Sequence, residues 1–345
     1  MMRVCFIAQQ SVRLVAGGPW VQAQETAHAL TNAGVTVEWF NQWEPFDAGK
    51  YDLVHLFGAN MMSYDIAVRL RQFGVPFVVS SIFFTLRSPR QIRLALKAER
   101  LLQRGVGGGF RSDFGITAAV CHAANAVLPN TTAESAIITG GFGVEPEKVH
   151  VVPNGVNARF ANATPELFLQ QYGIQNAVLN VGHIGSVRKN VLGLLKAMQR
   201  VDAPLVLIGK IQRGEYADRC LELAKKNPRV EIIEGVANDS PLLGSAYSAC
   251  PVFALPSFFE TPGIAALEAA LAGATVVITQ HGGTRDYFGS DGIYVNPSST
   301  NSIANGINKA LATPPSTGLR QRIEKEFLWE RVGELTLLAY RRVLG

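Results

Sequence analysis

The chain has 345 residues, of which 48% are hydrophobic and 17% charged, with a formal net charge of +5. That balance excludes a disordered chain, and the length exceeds what one core usually serves, so two α/β domains are expected. No apolar run is long enough to cross a bilayer, and the apolar part of residues 1–8 is too short for a secretory signal, so the chain reads as cytoplasmic.

In chain order, β-type runs at 4–8, 36–40, 53–56, 77–81, 126–128 and 150–152 predict six strands in the first half. Helical patterns separate them, and this alternation implies parallel sheets covered on both faces. Gly17-Gly18 lies between the first strand and a helix over 20–34. A glycine pair there lets a ligand approach the backbone. The spacing G-x-G-x-x-G is absent at that turn, which argues against a nicotinamide dehydrogenase. His55 and His122 each sit among apolar residues, where a histidine is more often structural than functional.

The charge is concentrated. Between Leu86 and Arg111 the cations are Arg87, Arg90, Arg93, Lys97, Arg100, Arg104 and Arg111, and the one acid is Glu99. Arg90, Arg93, Lys97, Arg100 and Arg104 recur at steps of three and four, which places them on one face of a helix. A basic amphipathic helix of this kind suits an anionic membrane surface, and peripheral attachment at the inner face of a membrane is expected. A solvated charged face is the alternative. Nucleic acid is a poor fit, because no aromatic residues interleave with the cations. The glycine-rich stretch 105–115 reads as a loop.

Val152-Pro153-Asn154-Gly155-Val156-Asn157 breaks regular structure and reads as an interdomain link. Strands at 177–181, 205–208, 230–234, 252–255, 275–279 and 293–295 then repeat the rhythm, and a last helix ends near 344. The boundaries expected are 1–156 with 328–345, and 157–327. Ligands bind beyond the carboxyl ends of strands in such sheets. Val181-Gly182-His183-Ile184-Gly185-Ser186-Val187-Arg188-Lys189-Asn190 occupies one such end. Cation clamps there suit a phosphate that gains charge. His281-Gly282-Gly283-Thr284-Arg285-Asp286 occupies another and reads as a turn lining the site. Cys5, Cys121, Cys220 and Cys250 are scattered with no CxxC pair, which fits a reducing compartment. No D-x-D occurs in the chain, and no metal or other cofactor is expected.

The most informative segment is Phe259-Glu260-Thr261-Pro262-Gly263-Ile264-Ala265-Ala266-Leu267-Glu268-Ala269-Ala270-Leu271-Ala272-Gly273. Ala and Leu favour helix from Ile264 onward, and Gly273 ends it. Glu260 falls just before the helix start and Glu268 within it. The free amides between them make an anion site.

Glu-x7-Glu, preceded by Leu255-Pro256-Ser257 and followed by Ala272-Gly273 and a valine-rich strand, resembles the retaining GT-B glycosyltransferases of family 4. The resemblance implies two Rossmann-like domains facing a central cleft, with the last helix crossing back to the first. It implies a metal-independent, hexosyltransferase-type reaction from a nucleotide-sugar donor, more readily UDP- than GDP-linked with the base left open by the residues, to a glycan or lipid-linked acceptor. Carried over residue by residue, Glu260 orients the donor sugar and Lys189 stabilises the leaving phosphate. Glu268 takes the ribose hydroxyls, and Gly263, Ile264 and Thr261 hold the diphosphate. His183 stands where the family has Arg, with Arg188 as a substitute cation, and Gly18 lies at a glycine loop. The acceptor hydroxyl is expected on the N-terminal domain, where relatives carry a His near Ser81-Ile82-Phe83 that this chain lacks. A nucleotide-sugar epimerase of the same fold and a non-enzymatic two-lobed sugar-binding protein are the alternatives.

Overall fold

The computed structural model describes residues 1–9, 12, 17–105, 111–314 and 317–345. The chain forms two compact units. One is Met1–Gly155 with Trp329–Gly345, and the other is Val156–Leu328.

In the first unit β1 (Arg3–Ala8), β2 (Thr36–Trp39), β3 (Leu53–Phe57), β4 (Phe77–Ser80) and β5 (Ala126–Val127) form one parallel sheet in the order β2-β1-β3-β4-β5. Its period of two sorts side chains cleanly between two cores. Val4 and Phe6 of β1 pack with the helix Gly18–Asn32 and the C-terminal helix Trp329–Leu344. Cys5 and Ile7 join the opposite core, which receives Ala67 and Leu70, Ile92 and Leu96, and Ala118 and Val120 from three further helices. The run expected at 150–152 is not a strand. It follows β5 through His150 N to Val127 O and Val152 N to Pro129 O, with one bridge at Val127–Val149. Pro129 and Pro153 lack the N–H groups that would continue a ladder, so the pairing ends there.

The stretch expected as a loop over 105–115 is partly helix. Ser112 caps the helix Asp113–Ala123 by accepting from Gly115 N at 3.1 Å. Glu99, buried on the helix Pro89–Gly105, accepts in turn from the backbone N–H and hydroxyl of Ser112. Residues 106–110 of that expected loop lie outside the described residues.

His55 is structural. Its Nδ1 meets the Tyr340 hydroxyl at 2.6 Å and its Nε2 meets Ser80 Oγ at 2.9 Å, tying the C-terminal helix to β3 and β4. Burial pushes its pKa down to about 3. The unfolded chain takes up this proton near pH ~6.5 while the fold does not. The contribution is therefore complete above that pH and declines as pH falls toward 3, by up to about 1.4 kcal/mol per unit. Urea midpoints should drop between pH 7 and pH 5. The drop should be shallower in His55→Gln, although that variant starts less stable.

In the second unit β6 (Val178–Val181), β7 (Leu205–Ile208), β8 (Val230–Ile233), β9 (Val252–Leu255), β10 (Thr275–Thr279) and β11 (Ile293–Val295) form a parallel sheet ordered β11-β10-β9-β6-β7-β8. Runs such as LVLI and VFAL are buried throughout, as strands covered on both faces must be. The sheet follows the Rossmann order, and its direction of winding reverses between β6 and β9. These two strands pair only at Val178–Val252 and Leu179–Phe253, then diverge. Beyond that point the buried Asn180 spans the gap, its Nδ2 donating to Ala254 O at 2.7 Å. Strand divergence at the reversal opens a crevice beyond the carboxyl ends.

All four cysteines are buried and unpaired. Burial raises the Cys5 and Cys250 thiols to about 12 and Cys220 to about 11, so none is poised as a nucleophile.

Candidate active site

The crevice between β6 and β9 is lined by the loops that leave these strands. The β6 loop turns through a short 3-10 segment, Val187–Lys189, and then through Asn190 at φ +54° before the helix Val191–Met198. Asn190 is buried and donates to Pro256 O at 3.0 Å and Pro297 O at 2.8 Å. Phe258 N donates to Arg188 O at 2.8 Å. These bonds lock the β6 loop to the β9 loop.

The locked loops bring three predicted residues together. Lys189 Nζ lies 2.7 Å from Glu260 Oε1, and Arg188 Nη1 lies 3.1 Å from the same oxygen. The Glu260 side chain is only 7% exposed, Lys189 17% and Arg188 40%. Burial pulls the Glu260 carboxyl upward, but the charges of Lys189 and Arg188 outweigh it and hold the group below the ordinary value. The buried Ser257 hydroxyl also favours the ionised form, although it makes no well-oriented hydrogen bond. Two cations on one carboxylate leave the cluster with a net positive charge beside an uncapped helix start.

That helix is Ile264–Leu271, and Gly263 occupies its N-cap at φ +73°, a left-handed conformation that disfavours a side chain. No side chain caps the first turn, and first-turn amides left so are able to take an anion. Thr261 and Ile264 are half-buried around it. Glu268, one turn further in, is half-buried and accepts from the Tyr247 hydroxyl at 2.7 Å. Tyr247 is fully buried, and burial together with the Glu268 charge raises its pKa well above 10.

Glu260 is also fixed from behind. Its N–H donates to His281 O at 3.1 Å, and Gly283 N donates back to Glu260 O at 3.0 Å. The turn at Gly282-Gly283 thus forms a parallel bridge with Glu260. His183 lies on the β6 loop, where its Nδ1 takes a hydrogen bond from Gln212 Nε2 at 2.7 Å. Gln212 can only donate through that nitrogen, so the neutral ring carries its proton on Nε2. Gly18 begins the helix Gly18–Asn32 in the first unit. The preceding Gly17 has φ −167°, extended backbone open to any residue, and residues 13–16 lie outside the described residues.

Sequence reasoning missed Tyr247, Asn190 as an anchor, and Glu134 in the first unit. Glu134 is buried and accepts from Ser81 Oγ at 2.5 Å, Phe83 N at 2.8 Å and Asn130 N at 2.9 Å. Burial raises its pKa, against the pull of these hydrogen bonds. It clamps the loop after β4, in which Ile82 has φ +47°, a strained state for a β-branched residue. Asn190 had a signal, since Asn is among the few side chains that tolerate that backbone state.

Two family models match the chain. The one described as "Glycosyl transferases group 1" covers residues 175–313, and the one described as "Glycosyl transferase 4-like domain" covers 38–155. The chain belongs to the GT-B glycosyltransferases of family 4. Among curated relatives, the MMP alpha-(1->4)-mannosyltransferase of Mycolicibacterium hassiacum is 25% identical over 235 residues, 64% of this chain and 54% of that one. The chain thus spans about half the length of this relative. Among solved structures, sucrose-phosphate synthase from Thermosynechococcus elongatus superposes with a TM-score of 0.78 at 20% identity, covering 99% of each chain. Anabaena HepE, crystallised in complex with UDP, superposes with a TM-score of 0.74 at 17% identity over 99% of this chain and 100% of that one. Similarity at these identities establishes the fold alone.

Proposed function

We propose that the protein transfers a glycosyl group, with retention, from a nucleoside-diphosphate sugar to a hydroxyl of a glycan or lipid-linked acceptor on the cytoplasmic side, in polysaccharide or glycolipid synthesis. The observation that carries this reading is the Lys189–Glu260–Arg188 cluster beside the uncapped start of Ile264–Leu271. The diphosphate takes the amides at Gly263 and Ile264, with Thr261 beside them. Lys189, aided by Arg188 and by the Nε2–H of His183, neutralises the phosphate as the glycosidic bond breaks. Glu260, kept ionised by its cations, accepts from donor-sugar hydroxyls and supports positive charge at the anomeric carbon. Glu268 accepts from the ribose hydroxyls. The clamped loop after β4 in the first unit is proposed to take part on the acceptor side. Uridine is favoured over guanosine, in keeping with the UDP bound by the structural neighbour HepE.

The test begins with thermal shifts for UDP, GDP and their sugars, a rise in melting temperature identifying the base. Glu268→Ala should then weaken binding of that nucleotide about 10- to 100-fold by calorimetry, the range expected for hydrogen bonds to a charged group. Tyr247→Phe, which removes one hydrogen bond to Glu268 and keeps its carboxylate, should lose much less. Unchanged affinity in Glu268→Ala would refute the ribose role. Donor turnover without any acceptor would favour an epimerase instead.

A further inference from the structure

The helix Pro89–Gly105 packs on the first unit through Ile92, Leu96 and Glu99, which are buried. Arg90, Arg93, Lys97, Arg100 and Arg104 are all exposed. Arg93 donates from Nε to Gly140 O at 2.9 Å. Among the described residues no carboxylate pairs with Arg90, Lys97, Arg100 or Arg104. The one acid of the helix points inward, where it accepts from Ser112 and Gln103. The outer face is therefore unneutralised.

Exposed leucines border this face, Leu94 and Leu101 directly beside the cations. Leu94, Leu101 and Leu102 are 66%, 65% and 60% exposed, and Leu86 just before the helix is 75% exposed. Leu94 is four residues from Arg90 and three from Lys97, and Leu101 is four from Lys97 and three from Arg104. At helical spacing Leu94 and Leu101 are thus each a surface neighbour of two cations. A solvated charged face has no use for this, because exposed leucines lose free energy in water that the cations do not return. Nucleic acid or an acidic glycan would engage the cations and leave the leucines wet. An anionic bilayer satisfies both at once. Leucines enter the acyl boundary while the long Arg and Lys stems hold their charges at the lipid phosphates.

We propose that Pro89–Gly105 is a docking face for an anionic lipid bilayer, with Leu94 and Leu101 inserted and Arg90, Lys97, Arg100 and Arg104 at the headgroups. The helix has 17 residues, about 25 Å of length, so these groups can lie along one interfacial line. Each cation at such a surface raises partitioning about fivefold. The docking face is a property of the first unit and does not depend on the donor site in the second.

Co-sedimentation with vesicles tests it. The protein should pellet with phosphatidylcholine vesicles containing about one third phosphatidylglycerol at low salt. It should pellet weakly with phosphatidylcholine alone, and less with the anionic vesicles as added salt shortens the Debye length below about 10 Å. Arg90→Glu with Lys97→Glu and Arg104→Glu should abolish pelleting. Leu94→Ser with Leu101→Ser, which keeps the charge, should weaken it at least about fivefold. Leu101→Trp should show a blue-shifted emission when anionic vesicles are added. All these positions are exposed, so the variants should fold, and an unchanged thermal shift with the preferred nucleotide would show the donor site intact. No pelleting with anionic vesicles would overturn the proposal. So would a leucine variant that binds like the parent, which would mark a purely electrostatic face. Sedimentation velocity revealing a dimer that the leucine variant loses would assign the face to a second copy instead.

Discussion

Lys189→Met should lower the rate of glycosyl transfer about 10²- to 10³-fold, the loss typical when one preorganised donor to a developing anion is removed. It should also weaken binding of the nucleotide diphosphate. The ammonium sits 2.7 Å from Glu260 Oε1, so the free protein loses its nearest counterion as well. Removing one partner of a buried pair costs ~3–5 kcal/mol, and Arg188, still 3.1 Å away, should hold the loss toward the lower end. With less positive charge beside it, the carboxyl of Glu260 should rise from its lowered value. The acid limb of the pH–rate profile should then move to higher pH. Glu260→Gln makes the contrasting case. It leaves both cations without a carboxylate, so the nucleotide diphosphate should bind more tightly while turnover falls. Opposite shifts in affinity with a shared fall in kcat, measured by calorimetry and product formation, are the signature of the cluster. Turnover preserved in Glu260→Gln would remove that residue from the chemistry.

Much of this architecture is legible in the sequence because it is written in local pattern. β7, β9 and the middle of β10 are unbroken apolar runs, and such runs allow little else in an α/β chain. The helix Ile264–Leu271 is equally local, set by Ala and Leu between Gly263 and Gly273. What the pattern does not carry is pairing across long separations. Nothing near Glu268 announces Tyr247, 21 positions earlier on another helix, and nothing near Ser81 announces Glu134. The outward turn of Leu94 and Leu101 is similarly invisible, because an amphipathic helix with leucines on several sides leaves its buried stripe undefined. The stripe is fixed only when Ile92 and Leu96 meet their neighbours. The expected strand at 150–152 failed because Pro153 follows it and Pro129 ends the stretch it pairs with.

Gly282→Ala should abolish turnover and lower stability by about 3 kcal/mol or more, through strain and forced displacement together. Gly282 has φ +102°, which L side chains rarely adopt, and a Cβ there would stand 1.8 Å from Glu260 O. No rotamer relieves a clash that involves Cβ itself. The backbone of Glu260 would have to move, and with it the carboxylate that Lys189 and Arg188 hold. Gly273→Ala separates the two causes. Gly273 has a similar φ of +101°, but a Cβ there meets nothing within 4 Å, and the residue ends the helix whose opposite end is the proposed diphosphate site. That variant should carry only the conformational cost, about 1–2 kcal/mol, with turnover unchanged once the protein is folded. Denaturant midpoints and kcat measured for both decide the matter. If the two alanines cost the same stability and neither affects turnover, the turn at Gly282 does not place Glu260. If only Gly282→Ala silences the protein, the glycine pair serves the site by letting one backbone press against another, with no contact to the sugar.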